Sequence, residues 1–108
     1  MSEQTIVLIL AVHWLADFVG QSDWMAQNKS KRLWPLLAHV LVYTAILAIL
    51  GWRWAVVNGL AHLAIDAVTS RINAKLYAAK QIHWFFVSIG FDQLLHTAIL
   101  VLTWTPLH

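Results

Sequence analysis

The chain has 108 residues, of which 60% are hydrophobic and only 11% charged, and its formal net charge is +2. Soluble domains carry about 25% charged residues, so the balance argues for a membrane protein. It leaves no basic footprint for nucleic acid, and the absence of cysteine removes disulfides and thiolate metal sites.

The N-terminus reads Met-Ser-Glu-Gln, acidic rather than basic, and the first apolar segment (residues 5–20) contains His13 and Asp17. Both features argue against a cleaved signal peptide and for a retained helix. The second segment (33–51, LWPLLAHVLVYTAILAILG) is the one uncharged run long enough to meet the strict criterion for a transmembrane helix. Pro35 falls in its first turn, where a missing N–H costs little. The third (55–70) and fourth (84–105) segments are interrupted by Asp66 and Asp92. Helix is expected throughout, because lipid leaves backbone groups no partner outside their own segment. The predicted fold is therefore all-α: a single domain, residues 1–108, forming a four-helix transmembrane bundle. A soluble four-helix bundle is the competing architecture.

Trp24, Trp34, Trp52, Trp54, Trp84 and Trp104 fall near predicted span ends, as an interfacial aromatic belt requires; Trp14 does not. Lys29, Lys31 and Arg32 lie between spans one and two, and Arg71, Lys75 and Lys80 between three and four. Arg53 alone lies on the opposite side. The positive-inside bias places both basic linkers in the cytoplasm and both termini outside. These linkers are too long for tight turns and have room for helical extensions.

Every span carries polar intrusions. They are His13 and Asp17, then His39, then His62 and Asp66, then Asp92 and His96. Each pair has i, i+4 spacing, which puts both side chains on one helix face. Spans one and three read His then Asp. Span four runs in the opposite direction and reads Asp then His, so like meets like in space. An aspartate layer is expected nearer the cytoplasm, with the paired histidines one turn deeper. At about 1.5 Å per residue the seven groups lie roughly 5–18 Å from their cytoplasmic helix ends, close enough to meet.

Charged groups at mid-bilayer each cost at least about 2.5–3.5 kcal/mol, so three carboxylates there need compensation. Divalent metal supplies it: three carboxylates and a hydroxide are neutralised by two such ions. The expected ligands are His13, Asp17, His39, His62, Asp66, Asp92 and His96, holding one or two ions of Zn, Mn or Fe, since all-N/O donors suit those metals. Gln21, Asn58 and Gln93 are candidates for orienting the ligands; Tyr43, one turn from His39, is weaker. The competing readings are a metal-free His–Asp proton path and simple interhelical hydrogen bonding. His83, His108, Glu3 and Asp23 read as solvated.

The pattern HWLADFVGQ, then Lys29, His39, HLAID followed by TSR, and FDQLLH resembles a family of small bacterial and phage-encoded membrane proteins catalogued as a domain of unknown function. It is also distantly similar to membrane-bound metal-dependent hydrolases, although their His-Arg and Thr-His-Ser elements are absent. The resemblance implies a multi-pass protein of the bacterial inner membrane with a shared polar site.

The expected function is a metal-dependent hydrolase, with Asp17, Asp66 or Asp92 available as general base. Lys29, Lys31, Arg32, Arg71 and Lys75 at the cytoplasmic mouth would attract a phospholipid or lipid-linked phosphate, or serve only as topology determinants and anionic-lipid contacts. Two alternatives remain open. One is an ion or proton relay through the His/Asp cluster; the other is a phage-type membrane effector acting by association. Four short helices form a thin bundle, which would suit a homodimer.

Overall fold

A computed structural model describes residues 1–108 as five α-helices, with one π-helical turn and no strand. Helix α1 (Glu3–Trp14) starts at Ser2, whose hydroxyl accepts from the Thr5 N–H at 3.1 Å, satisfying one of the unpaired donors of the first turn. It continues through the π-turn Leu15–Val19, where the Gly20 N–H reaches back five residues to the Leu15 carbonyl at 2.7 Å. The wider turn rotates Asp17 relative to the α1 frame. Helix α2 (Asp23–Asn28) is a short piece capped by Ser22.

Helix α3 (Leu33–Leu47) has Pro35 in its first turn and closes through a tight turn at residues 48–50. Helix α4 (Trp52–Ala78) runs well past the third apolar segment, absorbing Arg71 and Lys75 into the helix. It stops in a Schellman arrangement: the Gln81 N–H bonds to the Leu76 carbonyl, the Lys80 N–H to that of Tyr77, and Lys80 takes a left-handed φ of 59°. Helix α5 spans Ile82–Leu107.

Helix α4 packs against α3 and α5, and α1 packs against the same two helices. Helices α1 and α4 therefore face each other across the bundle axis, and residues on their inner faces meet in its centre. Helices α3 and α4 approach closely at one point. Gly59 lies directly against Thr44, and a Cβ there would overlap the Thr44 side chain.

Ten of the 21 buried positions are polar or charged, while Leu41, Ile49, Leu102 and Trp34 are each more than 60% exposed. The bundle thus carries large apolar side chains outside and, beside an apolar cluster, a polar one inside. Its all-α class matches the expectation from sequence, but the expectation of four membrane spans is not supported. By length and composition α5 alone qualifies as a membrane-crossing helix. Helix α3 is apolar but has 15 residues, about 22 Å at 1.5 Å per residue, against a hydrocarbon core of about 30 Å.

The aromatic belt also needs one correction. Trp54 is fully buried, donates its indole N–H to the Leu100 carbonyl at 2.9 Å, and meets Trp104 edge-on. A span-end position in sequence does not decide which way a side chain faces, and this one faces α5.

Candidate metal centre

The centre is built from four helical segments. The π-turn carries Asp17, α3 carries His39, α4 carries His62 and Asp66, and α5 carries Asp92 and His96. All six are buried. Their potential ligand atoms fall into three overlapping groups, each with mutual separations within 4.8 Å: Asp17, His39 and His62; His62, Asp66 and His96; Asp17, Asp92 and His96.

In the first group all three atoms lie close together. His39 Nε2 lies 3.0 Å from both Asp17 Oδ1 and His62 Nε2, and His62 Nε2 lies 3.6 Å from Asp17 Oδ1. Two ligands at about 2.0–2.1 Å from one tetrahedral zinc are about 3.3–3.4 Å apart, so this triangle has the right size for one ion. Asp66 Oδ2 approaches the same imidazoles at 3.6 and 3.8 Å. Asp17, His62 and His96 each belong to two groups, as residues shared between neighbouring ion positions would.

His13 has a different place. Its Nε2 lies 2.7 Å from Gln93 Oε1 and its Nδ1 lies 3.0 Å from the Tyr43 hydroxyl. The amide oxygen only accepts, so Nε2 carries the proton and Nδ1 accepts from Tyr43. The Gln93 NH2 then donates to Asp17 Oδ2 at 3.2 Å and to Asp92 Oδ2 at 3.1 Å. One continuous chain runs from Tyr43 through His13 and Gln93 to two carboxylates. Within it both nitrogens of His13 are used, and the residue lies outside the three groups. Tyr43 also stacks on the His62 ring at 4.0 Å, and His96 stacks on the opposite side at 4.1 Å, so His62 is clamped between two rings.

The charge balance is incomplete. Lys29 Nζ, 3.1 Å from Asp66 Oδ2, is the one ammonium or guanidinium in salt-bridge range of any of the three carboxylates. With neutral imidazoles, two negative charges remain, which one divalent ion cancels. Beyond the Lys29 contact to Asp66 Oδ2 and a 3.1 Å approach of His96 Nε2 to Asp92 Oδ1, neither of these buried atoms has a hydrogen-bond partner. His39 Nδ1 and His62 Nδ1 are also buried without a partner.

A cavity of about 460 Å³ opens over this centre, with Asp17, Asp66, Asp92 and Gln93 in its lining and none of the histidines. The carboxylates therefore face the cavity and the imidazoles lie behind them. Lys29, Ser30 and Lys31, between α2 and α3, form part of its rim. Of the basic residues expected at the mouth, Arg32, Arg71 and Lys75 are exposed and do not line it.

Gln93 touches two of the aspartates, whereas Asn58 bonds to the Trp54 carbonyl and to Thr103 Oγ1, away from the cluster. Gln21 lines the cavity. Among the residues read as solvated, His108 instead stacks on Trp104 and contacts the Leu50 carbonyl, though it remains exposed. Thr69 was given no role from sequence, and its hydroxyl lies 2.5 Å from Asp92 Oδ1. Its signal was the TSR that follows HLAID in the resemblance motif.

Fold and cluster together define a helical-bundle protein with a buried, oxygen- and nitrogen-rich centre capable of holding metal. The chain belongs to the family described as "Protein of unknown function (DUF3307)", whose model matches residues 5–108. No curated protein and no solved structure matches it.

Proposed function

We propose that this chain is an integral protein of the bacterial inner membrane whose His/Asp centre holds one or two divalent transition-metal ions and hydrolyses a phospholipid or lipid-linked phosphate. Support for membrane residence comes from the surface. Large apolar side chains are exposed along every long helix while ten polar or charged residues are buried, whereas soluble monomers rarely expose contiguous apolar patches of more than a few hundred Å². In this reading the basic rim faces the cytoplasm, following the charge bias of the linkers.

The observation that carries the proposal is the convergence of six buried ligand groups around a net negative charge. Uncompensated charges in such an interior cost several kcal/mol each. A divalent ion removes that cost, lowers the pKa of a water ligand toward about 7 and polarises a phosphoryl oxygen. The protein's own groups do the rest. Asp17, Asp66 and Asp92 face the cavity, where one of them can take a proton from water. Gln93 fixes Asp17 and Asp92 in orientation, and it is itself fixed by His13 and Tyr43.

Elemental analysis of detergent-purified protein should find one or two divalent ions per chain, lost in His62→Ala and Asp66→Asn. Turnover of lipid phosphoesters should stop on chelation and return with metal. A folded protein free of metal after growth in metal-replete medium would refute the proposal.

One observation favours a second reading, a proton or ion relay. The chain of contacts from Tyr43 through His13 and Gln93 to Asp17, His39 and His62 is continuous. Vesicles containing a relay would pass protons or metal without hydrolysis, and chelation would not stop proton flux.

A further inference from the structure

Three side-chain oxygens bordering the cavity have no explanation in the metal centre. Ser70 Oγ, Asn73 Oδ1 and Gln21 Oε1 are each buried and without a hydrogen-bond partner, and all three residues line the cavity. Ser70 is only 7% exposed. Buried polar atoms normally find partners, and three unpaired ones around one cavity fit a polar group that arrives from outside.

The positions define a level. Ser70 follows Asp66 by one turn of α4, about 6 Å along the axis, and Asn73 by about 10.5 Å. Gln21, two residues beyond the π-turn, also lines the cavity. The ring of hydroxyl and amides therefore lies between the aspartate floor and the lysine rim. The charge along this path identifies the ligand class. The lining contains Lys31 at the rim and Lys29, whose ammonium reaches down to Asp66, and its acidic residues are confined to the floor. An anion is attracted at the rim and hydrogen-bonded in the ring, and it is stopped at the floor unless a cation neutralises it. A serine hydroxyl donates and accepts, and an amide turned about its last torsion presents its NH2, so the set suits the oxygens of a tetrahedral oxyanion. One section of wall is apolar: Tyr77 and Phe85, rings 5.2 Å apart, together with Phe18 and Ile89.

We infer that Ser70, Asn73 and Gln21, with Lys31 at the rim, form a recognition subsite for a phosphoryl group, its ester chain lying along the Phe18–Phe85–Ile89 wall. This deepens the proposed hydrolase reading and rests on it for the cation at the floor.

The test is calorimetric titration of metal-loaded, detergent-purified protein. The probes are dihexanoyl phosphatidic acid, dihexanoylglycerol and inorganic phosphate. The phosphatidic acid should bind and the phosphate-free diacylglycerol should not. Ser70→Ala and Asn73→Ala should each weaken binding about tenfold, the loss of one hydrogen bond to a charged group, with metal content unchanged. Inorganic phosphate binding as tightly as the lipid supports the subsite with free phosphate as its source; weaker binding of inorganic phosphate supports a lipid source. Equal affinity for dihexanoylglycerol, or unchanged affinity in both variants at full metal content, overturns the inference while leaving the metal reading intact. Protein that holds no metal refutes the hydrolase reading. Even then, phosphate binding lost in Ser70→Ala would still support the subsite.

Discussion

The two halves of the bundle are built on opposite principles. Below the histidines, Ile9, Leu47, Trp54, Ala55 and Leu100 form an apolar cluster, with Tyr43 and Ala16 at its upper edge. Above them, carboxylates, imidazoles and amides enclose a cavity whose lining includes Lys29 and Lys31. The lower half holds itself together by packing. The upper half has charges that its own residues leave unbalanced, and it depends on the lower half to keep four segments in place. Tyr43 joins them, packed in the cluster and hydrogen-bonded to His13.

The sharpest way to break this comparison is to remove one ligand and one positioning residue in parallel. His39→Ala deletes the group nearest to both Asp17 and His62 and should abolish metal retention. His13→Ala leaves all six ligand groups but releases Gln93, and losses for such supporting residues run at about 10–100-fold in affinity. Metal titration of the two purified variants checks the ranking. Equal loss in both would place His13 among the ligands, as the sequence pattern suggested.

The lower half should respond in stability instead. Trp54→Ala removes a fully buried indole and its bond to Leu100 and should cost about 3–5 kcal/mol, read as a lowered unfolding midpoint in detergent, with metal stoichiometry kept in the molecules that remain folded. Gly59→Ala tests the seam between the halves. Its Cβ would meet Thr44 and force α3 away from α4, at an overpacking cost of about 1–3 kcal/mol. Because His39 and His62 sit on those two helices, this single methyl should also weaken metal binding. Thr44→Ala in the same chain should restore both.

What could be read from the sequence follows the same division. The i, i+4 pairs and the reversed letter order in the fourth segment placed Asp17, Asp66 and Asp92 together, because helical periodicity needs only residue spacing. The π-turn was not legible: no residue type marks an extra residue per turn, yet it sets the direction of Asp17. Asn58 shares a face with His62, but α5 comes close enough at that level for Thr103 to engage it. Arg32, Arg71 and Lys75 stand at the expected end of the bundle, but end position does not fix azimuth, and they point outward. His13 looked equivalent to His62 until the partners of its two nitrogens were known. Asn73 is an ordinary helix residue in sequence, and Ser70, although it falls in the TSR of the resemblance motif, had no role there until the cavity gave it one.

The smallest effect concerns neither half but the connection between α4 and α5. Lys80 adopts a left-handed conformation at the end of α4, which places Cβ against the following carbonyl and costs a non-glycine residue about 1–2 kcal/mol. Glycine carries no Cβ and is the usual residue at this position of a Schellman cap. Lys80→Gly should therefore stabilise the folded chain by about 1 kcal/mol, reduced by the greater freedom glycine gains on unfolding. The same substitution removes a positive charge from the basic linker, so Lys80→Asn, which also tolerates this conformation, separates charge from backbone: both variants should raise the unfolding midpoint, glycine more than asparagine. Neither should alter metal content, since Lys80 is exposed and lies outside the cavity lining. A change in metal binding in either variant would mean that the α4–α5 turn positions Asp66 and Asp92 as well as joining their helices.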